Sequence, residues 1–214
     1  RDLCVQGEKA QRILSQMPQE KLDAIVKSIA DAFAASAKEL ARLAVEETGF
    51  GNAEDKTEKN LFASRDVYAA IRDMKTVGVL SVNEQEKLWQ IGVPVGLIAA
   101  IVPSTNPTST ICYKALIALK AGNAIVFSPH PKALQCSLRA AKIVMDAARA
   151  AGAPEGCVSC LSRASMAGCQ ELMAAPQVKL ILATGGPAMV RAAYSSGKPA
   201  IGVGAGNGPA YIHH

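Results

Sequence analysis

The chain has 214 residues, of which 50% are hydrophobic and 19% charged. That length can bury a sizeable core without disulfide bonds, which excludes a disulfide-stabilised miniprotein, and the apolar content argues against disorder. No run approaches eighteen consecutive apolar residues, which excludes a membrane span. The net charge of +5 is uneven, with 13 basic and 15 acidic residues in 1–90 but 10 and 3 in 91–214. The second part suits an anionic ligand, whereas nucleic acid demands denser basic clusters and more aromatic residues.

The six cysteines lie mostly within apolar segments, and no signal-peptide pattern precedes them. We therefore expect free thiols in a reducing, cytoplasmic compartment. Cys157 and Cys160 form a C-x-x-C pair, but their segment has strand character, where residues i and i+3 point to opposite faces. No second pair follows, so core packing is favoured over a metal or redox role, and no metal is expected.

The N-terminal part carries helical patterns. Residues 3–16 predict a short helix, and apolar residues at helical spacing between Pro18 and Gly49 predict one long amphipathic helix. Asn52 has a side chain suited to cap a further helix, which extends to about Ile71.

A hairpin and an alternating pattern follow. Segments 77–82 and 87–93 flank a polar Asn-Glu-Gln-Glu stretch and predict a β-hairpin arm that pairs with another subunit. From residue 94, apolar strands alternate with helices. The predicted strands are 96–102, 123–128, 157–161, 178–183 and 200–203, and the predicted helices are 107–121, 131–151, 165–175 and 187–197. This order predicts an α/β fold with a Rossmann-like, doubly wound parallel sheet of about five strands, preceded by N-terminal helices and the hairpin arm.

The pattern divides the chain into a helical segment 1–76, an arm 77–93 and a cofactor-binding domain 94–214. In doubly wound sheets, ligands bind at the carboxyl ends of the strands. Strand 178–183 runs into Thr184-Gly185-Gly186-Pro187 and then a helix, where glycines permit close approach and the helix N-terminus attracts a pyrophosphate. A Gly-Gly-Pro turn is also ordinary strand-to-helix geometry, so both interpretations stay open.

The first strand of the sheet ends in Pro103-Ser104-Thr105-Asn106-Pro107. Asn106 can cap the following helix, because its side-chain oxygen can accept a hydrogen bond from a first-turn N–H. On these residues alone, the capping role is the simpler interpretation.

Several segments taken together resemble the aldehyde dehydrogenase superfamily. They are Pro94-Val95-Gly96, residues 103–107, the stretch from Lys120 to Val126, Thr184-Gly185-Gly186, and Gly204-Ala205-Gly206-Asn207. Residues 103–108, Ser128-Pro129-His130-Pro131 and the stretch from Glu46 to Asn60 are similar, more narrowly, to the CoA-acylating branch. That branch includes the aldehyde-oxidising half of bifunctional aldehyde/alcohol dehydrogenases and the microcompartment aldehyde dehydrogenases.

The resemblance implies NAD-dependent oxidation of a small aldehyde to an acyl-CoA. In that family a cysteine thiolate attacks the aldehyde, an asparagine amide and a backbone N–H hold the oxyanion, hydride passes to the nicotinamide and a thioester remains. Asn106 matches that asparagine, so the resemblance assigns it oxyanion stabilisation. Lys114 matches a lysine on the following helix, where an orienting role and a solvated helix face are equally good explanations.

Hydrolytic members of the superfamily carry a glutamate base where this chain has Val203. Valine cannot activate water, so the acyl-enzyme should wait for a thiol such as coenzyme A; a buried strand residue is compatible with the same valine. The second strand ends without the acid that commonly binds the ribose hydroxyls. The candidate cofactor-binding residues are Pro103, Ser104, Thr105, Ser128, Pro129, His130, Thr184, Gly185, Gly186 and Gly204. NAD is the expected cofactor, and NADP, or coenzyme A bound in the same pocket, stays open.

The family's catalytic cysteine lies some tens of residues beyond the Gly-Asn-x-Pro segment, and none of the six cysteines matches it. Cys112 is nearest in sequence to the site, but its apolar helical setting favours packing. We therefore expect the cofactor-binding part of a longer enzyme, forming a homo-oligomer through the arm, in the cytoplasm or a bacterial microcompartment. The alternatives are a hydrolytic aldehyde or semialdehyde dehydrogenase and a non-catalytic nucleotide-binding or assembly module.

Overall fold

A computed structural model describes residues 1–206 and 208–213 of the chain. Asn207, which belongs to one of the glycine-rich segments above, lies outside the described residues. The helices are α1 Asp2–Leu14, α2 Gln19–Ala35, α3 Ala37–Thr48, α4 Ala53–Leu61, α5 Val67–Ile71, α6 Pro107–Lys120, α7 Leu134–Ala150, α8 Met166–Ala174 and α9 Pro187–Tyr194. The strands are β1 Gly78–Asn83, β2 Leu88–Gly92, β3 Leu97–Ile101, β4 Ala124–Ser128, β5 Val158–Cys160, β6 Val178–Thr184 and β7 Ala200–Val203.

Strands β3 to β7 form one parallel sheet in the order β5-β4-β3-β6-β7. The chain builds β3, β4 and β5 outwards on one side, then returns to the other side of β3 for β6 and β7. Every residue of β3 and β4 is buried, as expected of strands covered on both faces. The predicted α/β fold with a five-stranded doubly wound sheet is confirmed. The order reverses between β3 and β6, which is the point where such sheets bind ligands.

The N-terminal helices share one hydrophobic core with the sheet. Helix α2 buries Leu22, Ile29 and Phe33 against α6 and α7, and the same core contains Ile111 of α6 and Phe127 of β4. Helix α1 contacts β3 and β4. The segment 1–76 is therefore packed onto the parallel sheet rather than separate from it.

The prediction of one long helix between Pro18 and Gly49 is wrong at Ser36. The structure divides it at Ser36, which has φ −98° and ψ 3°, into α2 and α3. The Ser36 N–H donates to the Phe33 carbonyl oxygen at 3.1 Å, three residues back, and the chain changes direction. Because α2 packs on α6 while α3 packs on α4, the break lets each helix bury its own apolar stripe. The apolar spacing continues through Ser36 without a glycine or proline, so the sequence pattern contains no sign of it.

Two other helices have irregular ends. Between α4 and α5 the chain forms a π-helical turn, Phe62–Asp66, and a 3-10 turn, Pro131–Ala133, precedes α7. Asn52 caps α4 as predicted, since its Oδ1 accepts a hydrogen bond from the Asp55 N–H at 2.8 Å.

The hairpin carries apolar side chains that no other part of the described chain covers. Strands β1 and β2 pair antiparallel, as predicted, with Gly78 opposite Gly92. On these strands Val82, Trp89 and Ile91 are exposed. Such a surface is typical of a region that contacts another protein surface.

Candidate functional site

The carboxyl ends of the parallel strands bring most of the predicted site segments to one edge of the sheet. Residues 103–106 follow β3, residues 129–133 follow β4, residues 185–186 follow β6 and residues 204–206 follow β7. Because β3 and β6 are neighbours, the first and third of these loops lie side by side at the switch point. These four loops contain no aspartate or glutamate, so their own residues place no carboxylate at this edge.

Asn106 is half-buried at the start of α6, but its side chain does not cap the helix. The helix begins with Pro107, and the Thr110 N–H donates to the backbone carbonyl of Asn106 at 3.2 Å. The Asn106 amide group makes no hydrogen bond to the residues that the structure describes. The side-chain capping interpretation is therefore wrong, and the N–H groups of this side chain remain available to a ligand.

The loop after β6 presents backbone rather than side chains. Gly186 precedes α9, and nothing lies within 4 Å of the position where a Cβ at Gly186 or at Gly204 would be. Neither Gly185 nor Gly186 has a positive φ, so the turn itself does not require glycine. Open space at this point fits close approach of a ligand such as a dinucleotide.

Hydrogen bonds fix this loop from both neighbouring elements. The Gly185 N–H donates to the Val203 carbonyl oxygen at 3.2 Å, which ties the loop to β7. The hydroxyl groups of Thr184 and Tyr113 lie 3.3 Å apart, which ties it to α6. Tyr113 was not predicted as a site residue, because no local pattern distinguishes it from other helix residues.

At the end of β4 the three predicted cofactor contacts have different surroundings. Ser128 is 4% exposed and its side chain faces the thiol of Cys169, so it offers little surface to a ligand. Pro129 is buried, and the half-buried His130 accepts a hydrogen bond on Nδ1 from the Lys132 N–H at 3.1 Å.

The side chain of Glu47 places a carboxylate at the start of α7, just after the loop that follows β4. Its two oxygens accept hydrogen bonds from the N–H groups of Gln135 at 2.8 Å and Cys136 at 2.7 Å, in the first turn of α7. A negative charge at a helix N-terminus is stabilising, and this one comes from the end of α3. The sequence could not reveal the contact, because the partners are 88 and 89 residues apart.

Lys114 is buried rather than on a solvated helix face, so that explanation is wrong. It is 2% exposed, and its Nζ donates to the carbonyl oxygens of Ile101 and Leu182, each at 2.8 Å. These carbonyls belong to β3 and β6, the strands on either side of the switch point. Burial lowers the pKa of Lys114 to about 7. Its position beneath both loops fits the orienting role.

Val203 is 56% exposed, which corrects the expectation of a buried strand residue. The reason is that α9 covers one face of β7, where a Cβ at Gly202 would lie 2.6 Å from Val190. Val203 lies on the opposite face, together with the equally exposed Ile201.

A sequence model of the aldehyde dehydrogenase family matches residues 2–207. The chain belongs to this family. It is 51% identical over 205 residues to the bifunctional aldehyde-alcohol dehydrogenase AdhE of Escherichia coli K12, covering 96% of the chain but 23% of that protein. The crystal structure of an acetylating aldehyde dehydrogenase from Geobacillus thermoglucosidasius is 56% identical, with a TM-score of 0.95, over 97% of this chain and 46% of that one.

A third relative was solved with a bound acyl-CoA. The propionaldehyde dehydrogenase of Rhodopseudomonas palustris with bound propionyl-CoA is 35% identical, with a TM-score of 0.83, over 96% of this chain and 45% of that one. The close relatives are thus acylating aldehyde dehydrogenases, which confirms the branch that the sequence motifs indicated. This chain spans between about a quarter and a half of their length.

The family segments of this aldehyde dehydrogenase chain divide between the two edges of the sheet. Pro94-Val95-Gly96 and the turn before β4 meet at the amino edge, where the Asn123 Oδ1 accepts a hydrogen bond from the Gly96 N–H at 3.0 Å. Gly96 has φ +130°, and a Cβ there would lie 2.7 Å from Lys179. These two segments shape the sheet and lie far from the carboxyl edge.

The cysteines of this aldehyde dehydrogenase chain are free thiols, and burial raises the pKa of each. Cys112 is fully buried and its thiol donates to the Ala63 carbonyl oxygen in the π-helical turn, at 3.6 Å. A thiol with a raised pKa is a poor nucleophile, so Cys112 has a packing role. Among the described residues no group of three His, Cys, Asp or Glu side chains is arranged to hold a metal. In the same part of the chain, no helix is long and apolar enough to cross a membrane.

Proposed function

We propose that this chain supplies the cofactor-binding part of an NAD-dependent, CoA-acylating aldehyde dehydrogenase. One observation carries the proposal: the Asn106 amide, which makes no hydrogen bond to described residues, follows β3, and the open loop 184–186 follows the neighbouring strand β6 at the switch point of the sheet. An amide donor beside a nucleotide-binding edge is the arrangement that oxidation of an aldehyde needs. In this proposal 94–214 is the cofactor domain, 1–76 supports it and 77–93 is an oligomerisation arm.

The carboxyl edge fits a dinucleotide. The space beside Gly186 and Gly204 accommodates a ligand close to the backbone, and the four loops around the edge carry no acidic side chain to repel a pyrophosphate. In the first turn of α9, Pro187 has no N–H and the Met189 N–H donates to the Gly186 carbonyl oxygen, which leaves the Ala188 N–H to face an anion. NAD, when bound, supplies a hydride acceptor. The remaining candidate contacts are Pro103, Ser104, Thr105, Ser128, Pro129, His130, Thr184 and Gly185.

The proposed role of Asn106 is to hold the oxygen of the aldehyde as it acquires negative charge. A neutral amide donor fixed in advance stabilises an oxyanion without reorganisation. Two residues of α6 support this edge without contacting the substrate. Lys114 joins the carboxyl ends of β3 and β6, and the Tyr113 hydroxyl lies within hydrogen-bond distance of the Thr184 hydroxyl. These contacts keep the two loops at a constant separation.

Val203 supports the acylating reaction over hydrolysis. An alkyl side chain cannot take a proton from water, so a thioester formed on the enzyme persists until a thiol arrives. We propose that coenzyme A is this thiol and a small aldehyde the substrate. We place the nucleophilic cysteine outside the six described here, because none of them lies in the four loops at the carboxyl edge and burial raises the pKa of each. The proposed location is the cytoplasm, with a bacterial microcompartment as the alternative.

The test compares NADH formation with and without coenzyme A in a full-length protein that contains this chain. Enzyme, NAD and acetaldehyde are mixed rapidly and absorbance is followed. Without coenzyme A we expect about one NADH per active site and then a stop, because the covalent intermediate stalls. Adding coenzyme A should restore steady turnover with acyl-CoA as product.

Two outcomes contradict this proposal in different ways. Steady release of free acid without coenzyme A would favour a hydrolytic aldehyde or semialdehyde dehydrogenase. NAD binding without any NADH formation would favour a non-catalytic nucleotide-binding or assembly module.

A further inference from the structure

The family segment from Glu46 to Asn60 includes two buried polar side chains that the proposed function does not use. Lys56 is 7% exposed and Asn60 is 1% exposed, and both lie on α4. They are four residues apart, so they share one face of that helix. Burying an ammonium group and an amide is costly unless both find partners.

The partners of these side chains lie on either side of Asn106. The Lys56 Nζ donates to the backbone carbonyl oxygen of Thr105 at 2.6 Å. The Asn60 Oδ1 accepts a hydrogen bond from the Thr108 hydroxyl at 2.8 Å, and its Nδ2 donates to the Ala37 carbonyl oxygen at 3.0 Å. Helix α4 therefore holds the residue before Asn106 and the second residue after it.

The Lys56 hydrogen bond restrains the peptide group between Thr105 and Asn106. The Thr105 carbonyl and the Asn106 N–H belong to one planar peptide unit, so a donor on that carbonyl fixes the orientation of the plane and hence the position of the Asn106 Cα. Thr105 itself is exposed and its side chain makes no hydrogen bond to other described residues, so the backbone contact is what restrains it.

We propose that Lys56 is a positioning residue for the oxyanion donor Asn106, acting through the Thr105 carbonyl, with Asn60 as the second point of attachment. The inference rests on the proposed function, because it needs Asn106 to act on the substrate. Displacement of a catalytic group by about 1 Å can cost 100-fold in rate, so one lost contact is enough to matter.

The test uses the full-length protein with Lys56→Met, which removes the ammonium group and keeps the stem. We expect kcat with acetaldehyde and coenzyme A to fall by about 10- to 100-fold because Asn106 shifts, while KM for NAD changes much less, because Lys56 is bonded to Thr105 but to no residue of the loop 184–186. Lys56→Arg retains a cationic donor and should recover part of the loss. Lys59→Met, an exposed lysine on the same helix, is the matched control and should behave as the parent.

A double variant separates positioning from general destabilisation. If Lys56 acts through Asn106, then Lys56→Met should cost little further in a protein that already carries Asn106→Ala. Independent, multiplying losses would contradict the proposal, and so would an unchanged kcat in Lys56→Met. If Lys56→Met does not fold, Lys56→Gln takes its place, with the same expected loss of kcat and the same contradicting result.

The activity of the parent protein separates failure of the Lys56 proposal from failure of the proposed function. CoA-dependent NADH formation by the parent, with kcat unaffected at position 56, overturns the role of Lys56 alone. Absence of that activity in the parent overturns the proposed function, and the role of Lys56 with it.

Discussion

At the scale of single residues, two asparagines at opposite edges of the parallel sheet show how one side-chain type serves opposite roles. Asn123 lies at the amino edge, is 4% exposed and accepts the Gly96 N–H. Asn106 lies at the carboxyl edge, is half-buried and makes no side-chain hydrogen bond to described residues. A buried bonded amide stabilises the fold, whereas an unbonded one at a ligand-binding edge is available for chemistry.

Asn106→Ala should lower kcat of the full-length protein by about 10²–10³, the usual loss when one oxyanion donor is removed. The free energy of unfolding should change by less than about 0.5 kcal/mol, because no capping bond is lost. Affinity for NAD, measured by calorimetry, should be unchanged.

Asn123→Ala is the matched control for this prediction. It should lower the free energy of unfolding by about 1–3 kcal/mol, because the Gly96 N–H is left without its buried partner, and should leave kcat of the folded fraction intact. A stable Asn106→Ala protein with parental kcat would contradict the assignment of Asn106.

At the scale of elements, the ends of helices decide the shape of the site. Helix α6 begins at Pro107 without a side-chain cap, helix α7 is capped by Glu47 from α3, and α4 secures the start of α6 through Lys56 and Asn60. The break at Ser36 is part of this arrangement. It separates α3 from α2, and α3 then carries Glu47 to the first turn of α7.

Glu47→Ala should destabilise the chain by about 1–2 kcal/mol, because two first-turn N–H groups of α7 lose a charged acceptor. Urea unfolding would measure the change. The control is Glu46→Ala on the same helix: Glu46 is exposed and its nearest basic group, on Arg42, is 3.7 Å away, so we expect a change below about 0.5 kcal/mol. Equal midpoints for the two variants would show that the cap contributes nothing.

At the scale of the whole molecule, buried thiols make stability depend on pH. Burial raises the pKa of Cys136 and Cys160 to about 12 and that of Cys157 to about 11, from an ordinary value of 9.0. Below pH 9 both the folded and the unfolded chain keep these protons. Above pH 9 the unfolded chain releases them first, so stability falls as pH rises.

Each such thiol should cost about 1.4 kcal/mol of unfolding free energy between pH 8 and pH 10. Lys114 acts in the opposite direction, because its lowered pKa of about 7 makes stability rise with pH up to about 10.5, and burial lowers the pKa of Lys56 and Lys198 as well, so the contribution of a thiol is measured as the difference between a cysteine variant and the parent. In Cys157→Ala, the unfolding free energy should therefore fall by about 1.4 kcal/mol less between pH 8 and pH 10 than in the parent, as measured by urea unfolding under reducing conditions. Ser159→Ala, two residues further along the chain in β5, is the control; identical slopes for the two variants would contradict the prediction.

The sequence by itself determined the elements and their order, because apolar alternation and helix spacing are local properties. The strands of the parallel sheet, the Asn52 cap and the turn at 184–187 were all predictable from neighbouring residues. The family segments likewise identified the acylating branch, since each is a continuous stretch of chain. The break at Ser36 was not predictable, because only packing against different partners distinguishes α2 from α3.

Only the tertiary structure decided what the charged residues around the site do. Lys56, Lys114 and Glu47 have the composition and spacing of ordinary surface residues, yet each forms hydrogen bonds with backbone groups distant in sequence. The exposure of Val203 was equally hidden, since it depends on which face of β7 is covered by α9. For the three charged residues the physical reason is the same: the free energy of a charge removed from water depends on the partners that folding brings to it, and these lie outside any local pattern.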